Sequence, residues 1–196
     1  MPSLDTLLAD IRACRLCVDG LPHGEPRPHV VASSTARLLI IGQAPGSKVH
    51  ASGIVWDDDS GDRLRDWLGL DKPAFYDAGK VAQMPSGFCY PGKGEGGDLP
   101  PRPECAPRWH DALRAQMPDV RLTLLVGQYA QKRYLPRGFA STMTEAVRRW
   151  RDAPDGLLPL PHPAWRSRLW MAKQPWFEAE LLPDLRARIS ALLQNV

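Results

Sequence analysis

The sequence predicts an α/β fold: a parallel sheet with helices on both faces. Three apolar runs, at residues 38–41, 122–126 and 157–160, are short, rich in Leu, Ile and Val, and bounded by Gly or Pro, the pattern of buried strands. Segments between them repeat apolar residues at helical spacing, and strands alternating with helices favour parallel pairing. Two strands run into polar turns, Gly42-Gln43-Ala44-Pro45-Gly46 and His162-Pro163. This places polar groups and backbone N–H groups at strand carboxyl ends, where open α/β sheets bind ligands.

In chain order, Leu4, Leu7, Leu8 and Ile11 predict a helix within residues 4–17, followed by a Pro/Gly/His loop to Pro28. Residues 37–41 form the first strand. Residues 60–70 follow as a helix with Ser60 as N-cap and Leu64, Trp67 and Leu68 on one face. A weaker strand covers 80–84, a Gly/Pro loop 91–103 and a helix 109–116. Leu122–Val126 is a strand closed by Gly127, and a helix starts near Gln128. Thr144 caps a helix over 144–152, the last strand spans 157–160, and the last helix spans 178–193.

A chain of 196 residues, 43% apolar, suffices for one full core and predicts a single domain over residues 1–196, without repeat or linker. No run approaches ~18 apolar residues, and residues 1–10 lack the basic-then-apolar order of a secretory signal. The expectation is a cytoplasmic protein with no membrane partner. The net charge of +3 excludes no partner class, but its placement is informative. Arg148, Arg149, Arg151, Arg166, Arg168 and Lys173 interleave with Trp150, Trp165, Trp170 and Trp176. Guanidinium for phosphate and flat apolar surface for bases suit nucleic acid. The alternative is a solvated helix face over core tryptophans.

Four cysteines remain. Cys14-Arg15-Leu16-Cys17 is a C-x2-C pair, and Cys89 and Cys105 flank the Gly/Pro loop. A reducing compartment disfavours disulfides, and a pair that closes a helix is misplaced for thioredoxin-like chemistry. Zn2+, a [4Fe–4S] cluster and plain burial without a ligand all stay open on spacing alone.

The order of these motifs resembles the uracil-DNA glycosylase superfamily over residues 14 to about 182, and within it the iron–sulfur members called families four and five. The resemblance implies a three-layer α/β/α sandwich around a short, mainly parallel sheet. It implies that Cys14, Cys17, Cys89 and Cys105 hold a structural [4Fe–4S] cluster. The implied activity is DNA repair: hydrolysis of the N-glycosidic bond of deoxyuridine in single- or double-stranded DNA, leaving an abasic site. A monomer associated with the nucleoid is expected.

Such an enzyme flips the base and stacks it, and Trp56 stands where the family's stacking aromatic usually sits. Gly42, Gln43, Ala44, Pro45 and Gly46 offer donors and acceptors for the base edge. His162 resembles the motif-two histidine that stabilises the departing base anion. The first motif carries no carboxylate, having Gln43-Ala44 where relatives have Glu or Asp. Asp58, followed one residue later by Ser60-Gly61-Asp62, matches a family-five active-site aspartate and becomes the candidate for orienting water. Asp57 and Asp59 read as solvated neighbours or helix caps.

Two further departures matter. Pro85-Ser86-Gly87-Phe88 replaces the asparagine that reads uracil in family four, so base recognition falls to backbone groups. After His162 the chain continues Pro163-Ala164-Trp165-Arg166, and Trp165 or Arg166, with Arg168 nearby, is expected to enter or contact DNA. His50 and His110 read as surface residues. Flipping costs a few kcal/mol, less for mismatched bases, so G·U and single-stranded substrates are favoured. The rivals are a catalytically weak lesion- or abasic-site-binding member of the fold and a glycosylase for hypoxanthine or xanthine.

Overall fold

The computed structural model describes residues 2–22 and 24–194. Six strands form in chain order: β1 (Leu38–Ile41), β2 (Val81–Gln83), β3 (Lys93–Gly94), β4 (Gly97–Asp98), β5 (Leu122–Val126) and β6 (Leu157–Leu160). β1, β2, β5 and β6 make one sheet in the order β2-β1-β5-β6, parallel throughout, while β3 and β4 form a small antiparallel hairpin.

Alternation along the strands builds two cores. Leu38, Ile40, Leu124, Val126, Leu158 and Leu160 pack on one face, against Leu64, Trp67 and Phe75. Leu39, Ile41 and Leu125 pack on the other, against Ile11, Trp109 and Leu113. The first face is covered by α3 (Asp59–Leu68), α4 (Lys72–Tyr76), α7 (Met143–Arg148) and α9 (Leu182–Leu193). The second is covered by α1 (Leu4–Arg12), α5 (Cys105–Ala115) and α6 (Gln128–Tyr134). Two short helices, α2 (Ser47–Ser52) and α8 (Ser167–Ala172), follow the two polar turns. The result is the expected three-layer α/β/α arrangement around a short parallel sheet.

Several local expectations are corrected. The cap of α3 is Asp58, whose Oδ1 accepts the Gly61 N–H at 2.8 Å, and Ser60 lies inside the first turn. Thr142, not Thr144, caps α7: its hydroxyl accepts from the Glu145 N–H at 3.1 Å, while the Glu145 carboxylate accepts from the Ser141 N–H at 2.8 Å. Thr144 instead accepts the Trp170 indole N–H at 2.8 Å. That helix stops at Arg148 and gives way to a 3-10 turn at Trp150–Asp152.

The first helix ends at Arg12, so Cys14 and Cys17 lie in turns beyond it. The helix expected over 109–116 starts earlier, at Cys105. Residues 91–103 contain the β3–β4 hairpin. Residues Phe177–Leu181 form a π-helical turn that leads into α9. His110 is fully buried and His50 half-buried. Among the described residues, no helix is long and apolar enough to cross a membrane.

Candidate active site

Because β1, β5 and β6 are parallel neighbours, the segments leaving their carboxyl ends lie side by side. Gly42–Gly46 after β1, Gln128 and Tyr129 after β5, and His162 after β6 line one open pocket of about 760 Å3. The first turn is pinned from below by the segment after β2. The Gly42 carbonyl accepts from the Ser86 N–H at 2.9 Å and the Ser86 hydroxyl at 2.8 Å, and the Gln43 carbonyl accepts from the Gly87 N–H at 3.0 Å. Each bond contributes about 1 kcal/mol, and together they fix the turn without using the Gln43 amide.

Trp56 forms part of the pocket wall, and the chain goes to some length to hold it. Its φ of +59° is left-handed, unusual for a bulky residue and worth roughly 1–2 kcal/mol of strain. The carbonyl of this strained residue accepts from Arg65 and from the Tyr76 hydroxyl, both at 3.3 Å. A side chain at Gly61 would place its Cβ 1.8 Å from that same carbonyl oxygen, and one at Gly42 would come within 2.9 Å of the indole ring. Glycine is therefore required at both positions for close approach. Sequence reasoning singled out Trp56 but missed Arg65, Tyr76 and Ser86. A glycine one turn into a helix was the available signal for Gly61.

The His162 ring lies 5.9 Å from that of Trp56. Its nitrogens make no protein hydrogen bond among the described residues. Burial pushes its pKa below the usual histidine value, and the negative charge of Asp58 opposes this only in part. A neutral imidazole thus faces the pocket, free to donate one N–H to a ligand. Asp58 shares the pocket, with one oxygen committed to capping α3.

The model of the uracil DNA glycosylase superfamily matches residues 28–186. The chain belongs to this superfamily. Membership supports a DNA glycosylase, a DNA-repair hydrolase that binds DNA, and agrees with the α/β sandwich described above. The match includes Cys89 and Cys105 and begins after Cys14 and Cys17.

Around the mouth of this pocket, Arg63 of α3 donates to the carbonyls of Pro163 at 3.1 Å and Ala164 at 2.6 Å, fixing the loop beyond His162. Trp165 projects into solvent, 68% exposed, with the Arg166 guanidinium 5.3 Å from its ring centre. Arg166 also reaches the Gly96 carbonyl at 3.4 Å, joining this loop to the β3–β4 hairpin. Arg168 is exposed but does not line the pocket. The other tryptophans divide as the alternative reading had it: Trp150 and Trp176 are buried, and Trp170 is partly buried against them.

All four cysteines are free and border one small apolar cavity, together with Phe88, Trp109 and Arg102. Burial pushes the thiols of Cys89 and Cys105 up to about 12, and raises Cys17 as well. Thiolates there require a cationic partner. The donor set, four sulfurs and no carboxylate on the cavity wall, fits an iron–sulfur group. Among the described residues, no three His, Cys, Asp or Glu side chains stand close enough together to hold a single ion.

Proposed function

We propose that this superfamily member is a monofunctional glycosylase that flips deoxyuridine out of DNA and hydrolyses its N-glycosidic bond. The observation that carries this reading is the His162 imidazole, without a hydrogen-bond partner among the described residues, facing Trp56 and the pinned Gly42–Gly46 turn in one pocket at the carboxyl edge of the sheet. The turn and the free Gln43 amide bind the base edge. Trp56 supplies the flat apolar wall on which a flipped base stacks. Negative charge accumulates on the base as the bond breaks, and a hydrogen bond from His162 there is stronger in the transition state than in the ground state. Asp58 orients water. Trp165 and Arg166, exposed beside the mouth, meet the DNA, the ring against bases and the guanidinium against phosphate.

The four cysteines are assigned a [4Fe–4S] cluster with a structural role. Support comes from four thiols bordering one cavity with no carboxylate on its wall, a donor set suited to an iron–sulfur group. When bound, the cluster supplies cationic iron that keeps the buried sulfurs ionised. Arg102, which contacts Cys17 and pairs with Glu104 at 2.7 Å, adds a positive charge beside the cavity.

A second reading, release of another deaminated base such as hypoxanthine, is favoured by one observation. The Ser86 hydroxyl, where an amide reader of uracil is expected, is spent on the Gly42 carbonyl. Base release from matched duplexes carrying uracil, hypoxanthine or xanthine opposite each natural base decides between them. Fastest release of uracil supports the first reading; binding to abasic DNA with no base freed from any duplex rejects both.

A further inference from the structure

Gly46 is a glycine that its backbone does not need. Its φ of −83° is open to any L-residue, yet it faces the pocket where the first motif lacks a carboxylate. The position a Cβ would occupy there meets only two atoms within 4 Å, the carboxylate oxygens Asp98 Oδ2 at 3.5 Å and Asp58 Oδ2 at 4.0 Å. Asp58 arrives from the start of α3 and Asp98 from β4, so the two approach the same point from different elements. The Asp58 oxygen turned toward Gly46 is not the one that caps α3, and so remains available to a ligand. Asp98 bonds to the Tyr90 hydroxyl, and its hairpin is tied to the His162 loop through Arg166. Both carboxylates line the main pocket with Trp56 and His162.

We propose that the hydrolytic water sits beside Gly46, held between Asp58 and Asp98, and that Asp98 is a second carboxylate of the reaction. This rests on the glycosylase reading. The water oxygen bonds to C1′ of the deoxyribose as the C1′–N bond breaks. The electron pair of that bond leaves with the base, whose oxygen accepts from His162. One water proton passes to Asp98 and the sugar keeps the hydroxyl; the carboxylic acid then returns its proton to solvent. Two anchored acceptors orient the water better than one, which accounts for a first motif that carries no acid of its own. Asp98 suits the proton: the residue is exposed on its hairpin, but partial desolvation of its carboxyl on the pocket side holds it above the ordinary range and the charge of Asp58 adds to this, while Tyr90 and Lys93 oppose. Lys48 stands in the adjoining notch, paired with Asp59 at 3.1 Å.

The test is single-turnover base release from a uracil duplex across pH, with abasic-DNA affinity and unfolding midpoint measured alongside. Asp98→Asn is expected to slow release roughly 10²-fold or more, the scale of a lost general base, with affinity unchanged. The acidic limb of the rate profile, where the wild type loses rate as Asp98 protonates, should move to lower pH. Gly46→Ala should fill the water position and slow release at least about tenfold. Its new contacts, at 3.5 and 4.0 Å, are ordinary van der Waals distances, so the unfolding midpoint should hold. Wild-type rates in both variants, or a slowed Asp98→Asn with an unmoved acidic limb, overturn the water site while the glycosylase reading stands. A wild type that frees no base overturns that reading and the water site with it.

Discussion

The pocket at the carboxyl edge of the sheet and the cysteine cavity are built on opposite principles. The pocket is complete from the chain alone. Its first turn is bonded to Ser86 and Gly87, its tryptophan is fixed by Arg65, Tyr76 and Gly61, and its histidine loop is anchored by Arg63. What it leaves unsatisfied, the His162 ring and the Gln43 amide, is what a ligand would use. The cysteine cavity is small and apolar, and burial raises the thiols of Cys17, Cys89 and Cys105. The proposed cluster would supply the cationic partner that ionised sulfurs there require. On the proposed reading, one region is preformed for its ligand, whereas the other would gain stability from what it binds.

His162→Ala separates the two regions most strongly. Base release should fall roughly 10²–10³-fold, as for loss of one anion-stabilising donor, with stability reduced only by the lost packing of the ring beside Trp56, since it makes no hydrogen bond among the described residues. Cys105→Ser should do the reverse. Serine keeps an acceptor for the Phe88 N–H, at 3.3 Å from sulfur, so the loss is confined to the thiolate. Anaerobically purified wild type is expected to be brown with broad visible absorbance, which Cys105→Ser loses together with several kcal/mol of stability and His162→Ala retains. Colourless wild type containing zinc would reject the cluster.

His110 lies between the two regions, bonded to Pro85 of the pocket and stacked on Phe88 of the cysteine cavity. Fully buried, it pairs with the Tyr134 hydroxyl at 2.5 Å and the Pro85 carbonyl at 3.1 Å, and burial pushes its pKa down to about 4. The unfolded chain takes up a proton near pH 6.5 that the native state refuses. Stability is thus full above that pH and falls as pH drops toward 4, by about 3 kcal/mol. His110→Gln should flatten most of this slope in denaturant titrations at several pH values, with His162 leaving a residual slope of the same sign.

Gly61→Ala should cost about 1–3 kcal/mol, because the new Cβ drives into the Trp56 carbonyl, and it should slow base release as well. Gly96→Ala, with nothing within 4 Å, is the matched control and should leave stability unchanged. The smallest effect is Thr142→Ala, about 1 kcal/mol for a lost cap, read by thermal unfolding with no change in base release.

Local periodicity and composition were enough to place β1, β5, β6 and the polar turns after β1 and β6, because a short Leu/Ile run ending in Gly or Pro is dictated by neighbouring residues. Parallel order followed from the alternation with helices, and the shared pocket from parallel order. Helix ends were less legible. Asp58 and Ser60, or Thr142 and Thr144, are equally good caps by residue type, and only the backbone entering each helix selects one. The tertiary structure alone decided the rest: that Trp165 is exposed while Trp150 and Trp176 are core, that His110 is buried, and that Arg65 and Tyr76 hold Trp56. It also decided that Asp98 of a Gly-rich loop meets Asp58 at Gly46. These contacts join residues brought together by different elements, and no spacing along the chain encodes which side chains the packing of sheet and helices makes neighbours.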